Sequence, residues 1–121
     1  GGNLSVLTAL LGTPFEVDLG DGVLFVEEVS EPRYRLDRML TQLAASATFS
    51  GVKALISGNL HRCRPAHGRD EWWRHRLLDV APAGTVVVTG LPFGHGAVNM
   101  AFPLGAEVEV DTRAGRVEWR A

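Results

Sequence analysis

Three short apolar runs set the terms for this chain, because helical stretches separate them. The runs are "VLFVEE" at 23–28, the strand-like part of "GVKALISG" at 51–58, and "TVVVT" at 85–89. Residues of the first alternate in direction, so Val23, Phe25 and Glu27 face one way and Leu24, Val26 and Glu28 the other. Between the first two lies "SEPRYRLDRMLTQLAASATF", read as one helix. Pro32 suits its first turn, and Leu36, Met39, Leu40 and Leu43 form its apolar stripe. Between the second and third, a polar loop "NLHRCRPAHG" leads into a shorter helix, "RDEWWRHRLLDVAP", ended by Pro82. Strand and helix alternating in this way predict an α/β domain with a mixed β-sheet and flanking helices.

The two ends complete the pattern. "NLSVLTALLGTP" predicts a short helix capped by Asn3 and stopped by Gly12 and Pro14, with Leu4, Leu7, Leu10 and Leu11 on one face. "AEVEVDTRAGRVEWRA" predicts a closing β-hairpin. Val108 and Val110 alternate with Glu107 and Glu109, Val117 and Trp119 alternate with Arg116 and Glu118, and "DTRAG" makes the turn. One domain over residues 1–121 accounts for the whole chain, with no internal repeat or linker.

Charge and composition narrow the partners. A formal net charge of −2 disfavours a general nucleic-acid surface, and no apolar run reaches membrane-spanning length. One cysteine, Cys63, excludes an internal disulfide and suits a reducing, cytoplasmic setting.

The chemistry centres on "GLPFGHGAVNM". There His95 stands between two glycines, which exclude side chains and let the backbone bend. Histidine is the usual general base, and it needs a carboxylate to fix its tautomer. Glu27 or Glu28, at the end of an apolar strand, is placed to supply one; a solvated strand end before a helix is the plainer account of the pair. A nucleophile is harder to find. Ser5 and Ser46 fall in helices, Ser30 looks like a cap and Ser50 lies in a turn. Ser57 lacks the glycine before it and the helix after it that a nucleophile elbow requires, and is read as a strand terminus. Cys63 sits among arginines that lower a thiol's pKa, but an exposed loop cysteine without a role is the plainer account. The set His61, Cys63, His67 and His75 matches no standard zinc spacing, so no metal is expected. Trp72, Trp73 and Trp119 at helical or strand spacing suit a core or an interface.

Three blocks taken in order, "GGNLSVLTALLGTP", "LFVEEVSEPRYRLDRMLTQL" and "GLPFGHGAVNMAFPLGAEVEVD", resemble the C-terminal domain of the LD-carboxypeptidases, serine peptidases related to the microcin C7 self-immunity protein. The resemblance runs from Gly1 to about Asp111. It implies a fold like the swivelling β/β/α domains, and a Ser-Glu-His triad in which Glu27 and His95 are this chain's contribution. It also implies that the nucleophilic serine and oxyanion hole belong to an N-terminal domain absent from this sequence, which opens without Met. Gly2 and Asn3 fall in the block that lies near substrate. Two positions depart from the family's pattern: Glu28, where Asp is usual, and Ser57, where Gly is usual. The implied reaction is removal of the terminal D-alanine from murein tetrapeptides, without a cofactor. The alternatives are hydrolysis of aminoacyl-nucleotide antibiotics, as in the immunity-type relatives, or a non-catalytic ligand-binding or dimerisation domain. The implied partners are the N-terminal domain and a second copy in a homodimer, for which Trp72 and Trp73 are candidate contacts.

Overall fold

The computed structural model of the chain describes residues 1–120. Four parallel strands lie in sequence order: β1 (Gly2–Asn3), β2 (Val23–Val29), β3 (Ala54–His61) and β4 (Val86–Val88). The helices α1 (Leu4–Leu10), α2 (Arg33–Ala44) and α3 (Arg69–Val80) connect them in turn. Crossovers between parallel strands are almost always right-handed, so strands laid down in order send every helix to the same face. The main core lies on that face. There Leu24, Val26 and Leu55 of the sheet meet Leu4, Leu36, Leu40, Leu43 and Leu77 of the helices, all at most 1% exposed.

The opposite face takes the hairpin, β5 (Val108–Asp111) and β6 (Arg116–Trp119). The Asp111 carboxylate accepts from the Arg113 and Ala114 amides and closes its turn. Val108, Val110, Val117 and Trp119 pack toward Phe25, Ile56 and Phe93 in a second, smaller core. Phe25 meets the Phe93 ring edge-on at 5.7 Å, and Phe102 stacks on Trp119 at 5.4 Å. The result is three layers: helices, parallel sheet, hairpin. Parallel and antiparallel pairing both occur, in two separate sheets rather than in one mixed sheet.

Two boundaries differ from the sequence reading. The second helix ends at Ala44, and a separate 3-10 turn, Ala47–Gly51, buries Phe49. Ser46 breaks the run by adopting an extended backbone while its hydroxyl donates to Leu43 O, 2.6 Å away. β3 continues through Asn59 to His61 where a loop was expected, because β2 keeps pairing with it at Glu28↔Leu60 and Val29↔His61 after a register shift. Ser57 is therefore inside the strand and not at its terminus.

The cysteine moves inward from the expected surface, and Trp73 takes the core alternative of its reading. Trp73 is 3% exposed and its Nε1 donates to Ser57 Oγ at 2.7 Å, so it holds α3 on β3 and is closed to a dimer contact. Trp72 is half-buried beneath the Arg33 guanidinium, 5.1 Å from the ring centre. Cys63 is buried at 1% exposure, and desolvation pushes its thiol pKa up, which removes the reactive-thiol reading. Among the described residues no helix is long and apolar enough to cross a membrane.

Candidate active site

β2 carries two consecutive buried carboxylates to opposite faces of the sheet, as alternation requires. Glu28 goes to the helix side. Its Oε2 accepts from the backbone N of Ser5 at 2.8 Å and from the Ser5 hydroxyl at 2.7 Å. Its Oε1 accepts from Asn3 Nδ2 at 2.7 Å and from the Val29 amide at 2.9 Å. A buried carboxylate is tolerated only when its lone pairs are filled, and the free amides at the start of α1 help to fill them.

Glu27 goes to the hairpin side, where His95 meets it. The segment after β4 is pinned to β3 by Leu91 N to Ser57 O at 3.2 Å and Asn59 N to Phe93 O at 2.8 Å. Phe93 comes so close that a Cβ on Gly58 would lie 2.4 Å from its carbonyl oxygen. Gly94 then turns the chain with φ 108°, and a Cβ there would lie 2.6 Å from Glu27 Oε2. Its amide donates to Asn99 Oδ1 at 3.0 Å. This turn delivers His95 Nδ1 to 2.7 Å from Glu27 Oε2, and the His95 backbone N donates to the same oxygen at 3.2 Å.

The contact defines the imidazole. The Glu27 side chain is 7% exposed and that of His95 53%. A carboxylate at Nδ1 selects the tautomer protonated there and leaves the Nε2 lone pair free. The His95 pKa is raised, first by the hydrogen bond to Glu27 and then by the attraction of the Glu27 charge; desolvation of the ring opposes this, and the more distant Glu28 charge adds the least. The pair borders an open cavity of about 390 Å³, walled by Gly2, Phe93, Met100, Phe102 and Leu104. A larger apolar hollow, about 590 Å³, lies between β4 and the hairpin, and neither Glu27 nor His95 lines it.

The four residues singled out from the sequence thus lie together. Gly2 pairs with Val26 and walls the cavity. Asn3 pairs with Glu27 and caps α1, its Oδ1 accepting from Val6 N at 3.2 Å. The Asn3 amide nitrogen turns to the carboxylates, at 2.7 Å from Glu28 Oε1 and 3.2 Å from Glu27 Oε1. Ser57 is fully buried, and Ser5 donates to Glu28, so neither offers a free hydroxyl to the cavity. Among the described residues no group of three or more His, Cys, Asp or Glu is disposed to hold a metal ion. Sequence reasoning missed the bonds of Glu28 and the brace from Asn99. The second was signalled by its place four residues after His95 in the same motif block.

The family model described as LD-carboxypeptidase C-terminal domain matches residues 1–110. The chain is 33% identical over 125 residues to the murein tetrapeptide carboxypeptidase of Pseudomonas aeruginosa, covering 98% of itself and 38% of that protein. It superposes on the muramoyltetrapeptide carboxypeptidase from Oxalobacter formigenes with a TM-score of 0.79 at 35% identity, covering 96% of itself and 41% of that chain. It also superposes on the microcin C7 self-immunity protein, with a TM-score of 0.81, covering 96% of itself and 35% of that chain; at 23% identity this likeness is one of fold. The chain spans less than half the length of these relatives.

Proposed function

The chain belongs to the LD-carboxypeptidase C-terminal domain family, and from that premise we propose that it supplies the glutamate and histidine of a serine carboxypeptidase acting on murein tetrapeptides. The observation that carries this reading is the 2.7 Å contact between His95 Nδ1 and the buried Glu27 carboxylate, with the rest of the ring open to a cavity. The nucleophilic serine and the oxyanion hole come from an N-terminal domain. Relatives of more than twice this length support such a partner.

The chemistry follows from the free Nε2. It takes the serine proton as the hydroxyl oxygen bonds to the scissile carbonyl carbon, and Glu27 stabilises the resulting imidazolium. The tetrahedral adduct collapses, the C–N bond breaks, and the same proton passes from Nε2 to the departing D-alanine amine. Water then repeats the sequence on the ester and returns the serine. Gly2 forms part of the wall that substrate meets, and Asn3 serves the site from behind the carboxylates. A cytoplasmic location suits a chain whose one cysteine is a buried free thiol. The homodimer we propose uses a surface other than Trp73.

The test is hydrolysis of a murein tetrapeptide by the full-length protein, with an aminoacyl-nucleotide as the competing substrate. His95→Ala is expected to lower kcat by roughly 10⁴-fold or more, as loss of a triad base does. Murein turnover unchanged in His95→Ala would defeat the reading. Turnover of the aminoacyl-nucleotide alone would replace its substrate.

A further inference from the structure

Glu28 lies on the far side of the sheet from His95, yet a chain of bonds joins it to the pair. Asn3 Nδ2 lies 2.7 Å from Glu28 Oε1 and 3.2 Å from Glu27 Oε1. A primary amide carries two N–H groups, so one serves each carboxylate and neither remains for another partner. Asn3 Oδ1 accepts from Val6 N, which fixes the amide from the helix side. Glu28 is itself immobilised by Ser5 and Val29 and is 2% exposed.

The effect falls on Glu27. A glutamate's last torsion is broad, and an unrestrained carboxylate rotates about it. His95 holds only Oε2, through its ring and its backbone N. Asn3 holds Oε1, so the carboxylate plane is set at both oxygens.

Resting on the functional reading above, we propose that Glu28 is a positioning residue, which acts through the Asn3 amide to hold the Glu27 carboxylate in line with His95. It touches neither substrate nor the reacting atoms. Asn3, its two donors spent inward, is the link between them.

Glu28→Gln in the full-length protein tests this. An amide cannot accept at both ends, so either Asn3 or the Ser5 amide loses its acceptor. The expected result is a fall in kcat of roughly 10- to 100-fold with KM nearly unchanged, the scale at which supporting residues act on a site. The acid limb of kcat/KM should also move to lower pH. A Glu27 carboxylate turned out of line weakens the hydrogen bond that chiefly raises His95, and the lost Glu28 charge adds a smaller fall in the same direction. Glu28→Asp keeps the charge and should keep the acid limb in place. Asn3→Ser cuts the link while sparing Glu28, and should lower kcat similarly. NMR titration of His95 in this chain reads the same shift without catalysis. A wild-type kcat in Asn3→Ser, or a kcat loss in Glu28→Gln with the His95 titration unmoved, would overturn the proposal. Activity retained in His95→Ala would strike the underlying reading, and the imidazole titration would still decide whether Glu28 acts on His95.

Discussion

At the scale of single residues, the contact between His95 and Glu27 has a consequence in solution. The imidazole holds its proton more tightly in the folded chain than in the unfolded one, because Glu27 bonds to it and attracts its charge. A raised folded pKa adds stability that is full below the unfolded value, about 6.5, and that disappears as pH rises through the folded value. Urea unfolding of wild type and His95→Ala should therefore show a larger gap at about pH 5.5 than at about pH 8.5. A gap independent of pH would mean that the ion pair does not form. Gly94→Ala is the sharper structural test. It combines a positive φ with a Cβ 2.6 Å from Glu27 Oε2, so it should cost about 1–3 kcal/mol and push the carboxylate off the imidazole. Denaturation together with a fallen His95 pKa checks both effects. The residue pattern marked both ends of this contact as candidates, an acidic residue ending an apolar strand and a histidine between glycines, and the family resemblance chose Glu27 and His95 from them. Spacing alone left Glu27 and Glu28 undivided, because the choice depends on which sheet face the later loop crosses, and that loop is 68 residues away.

At the scale of elements, one polar bond in the main core ties a helix to a strand. Trp73 of α3 donates to Ser57 of β3 inside an otherwise apolar layer. Ser57→Ala strands the buried indole N–H and should cost about 1–3 kcal/mol in unfolding free energy. The double variant, Ser57→Ala with Trp73→Phe, should cost less than the two single changes added together, since the bond can be lost only once. Strict additivity in that cycle would show that the bond contributes nothing. The elements themselves were largely readable, since the strands announce themselves by β-branched runs and the helices by leucine spacing. The strand errors have one cause: long-range pairing overrides local signals. "NLH" looks like a loop until Glu28 and Val29 of β2 pair with Leu60 and His61. The two-residue β1 had no local signal at all, because it exists only through its pairing with β2. Cys63 looked exposed by its arginine neighbours, whereas the chain folds that one side chain under while leaving Arg62 and Arg64 in solvent.

At the scale of the whole molecule, this chain holds the His95–Glu27 pair over two hydrophobic cores, and on that ground it is expected to fold by itself. The isolated chain should give a cooperative unfolding transition and yet no measurable murein tetrapeptide hydrolysis. Covalent catalysis needs a nucleophile, and the serines nearest the pair are occupied or buried. Turnover by the isolated chain would point to a nucleophile within it. The layering has another consequence. Glu27 is rooted in the strand at the heart of the sheet, while His95 rides on the segment that runs on into the hairpin and the smaller aromatic core. Partial unfolding should therefore begin on the hairpin side. Amides of β5 and β6 should exchange with deuterium well before those of β2 and β3, through an opening that lifts the hairpin and leaves the helix-backed sheet closed. Each such opening would take Trp119 from Phe102, a wall of the cavity beside the pair, while Leu91 and Phe93 keep His95 moored to β3, so the lifetime of the closed cleft would be set by the least protected layer.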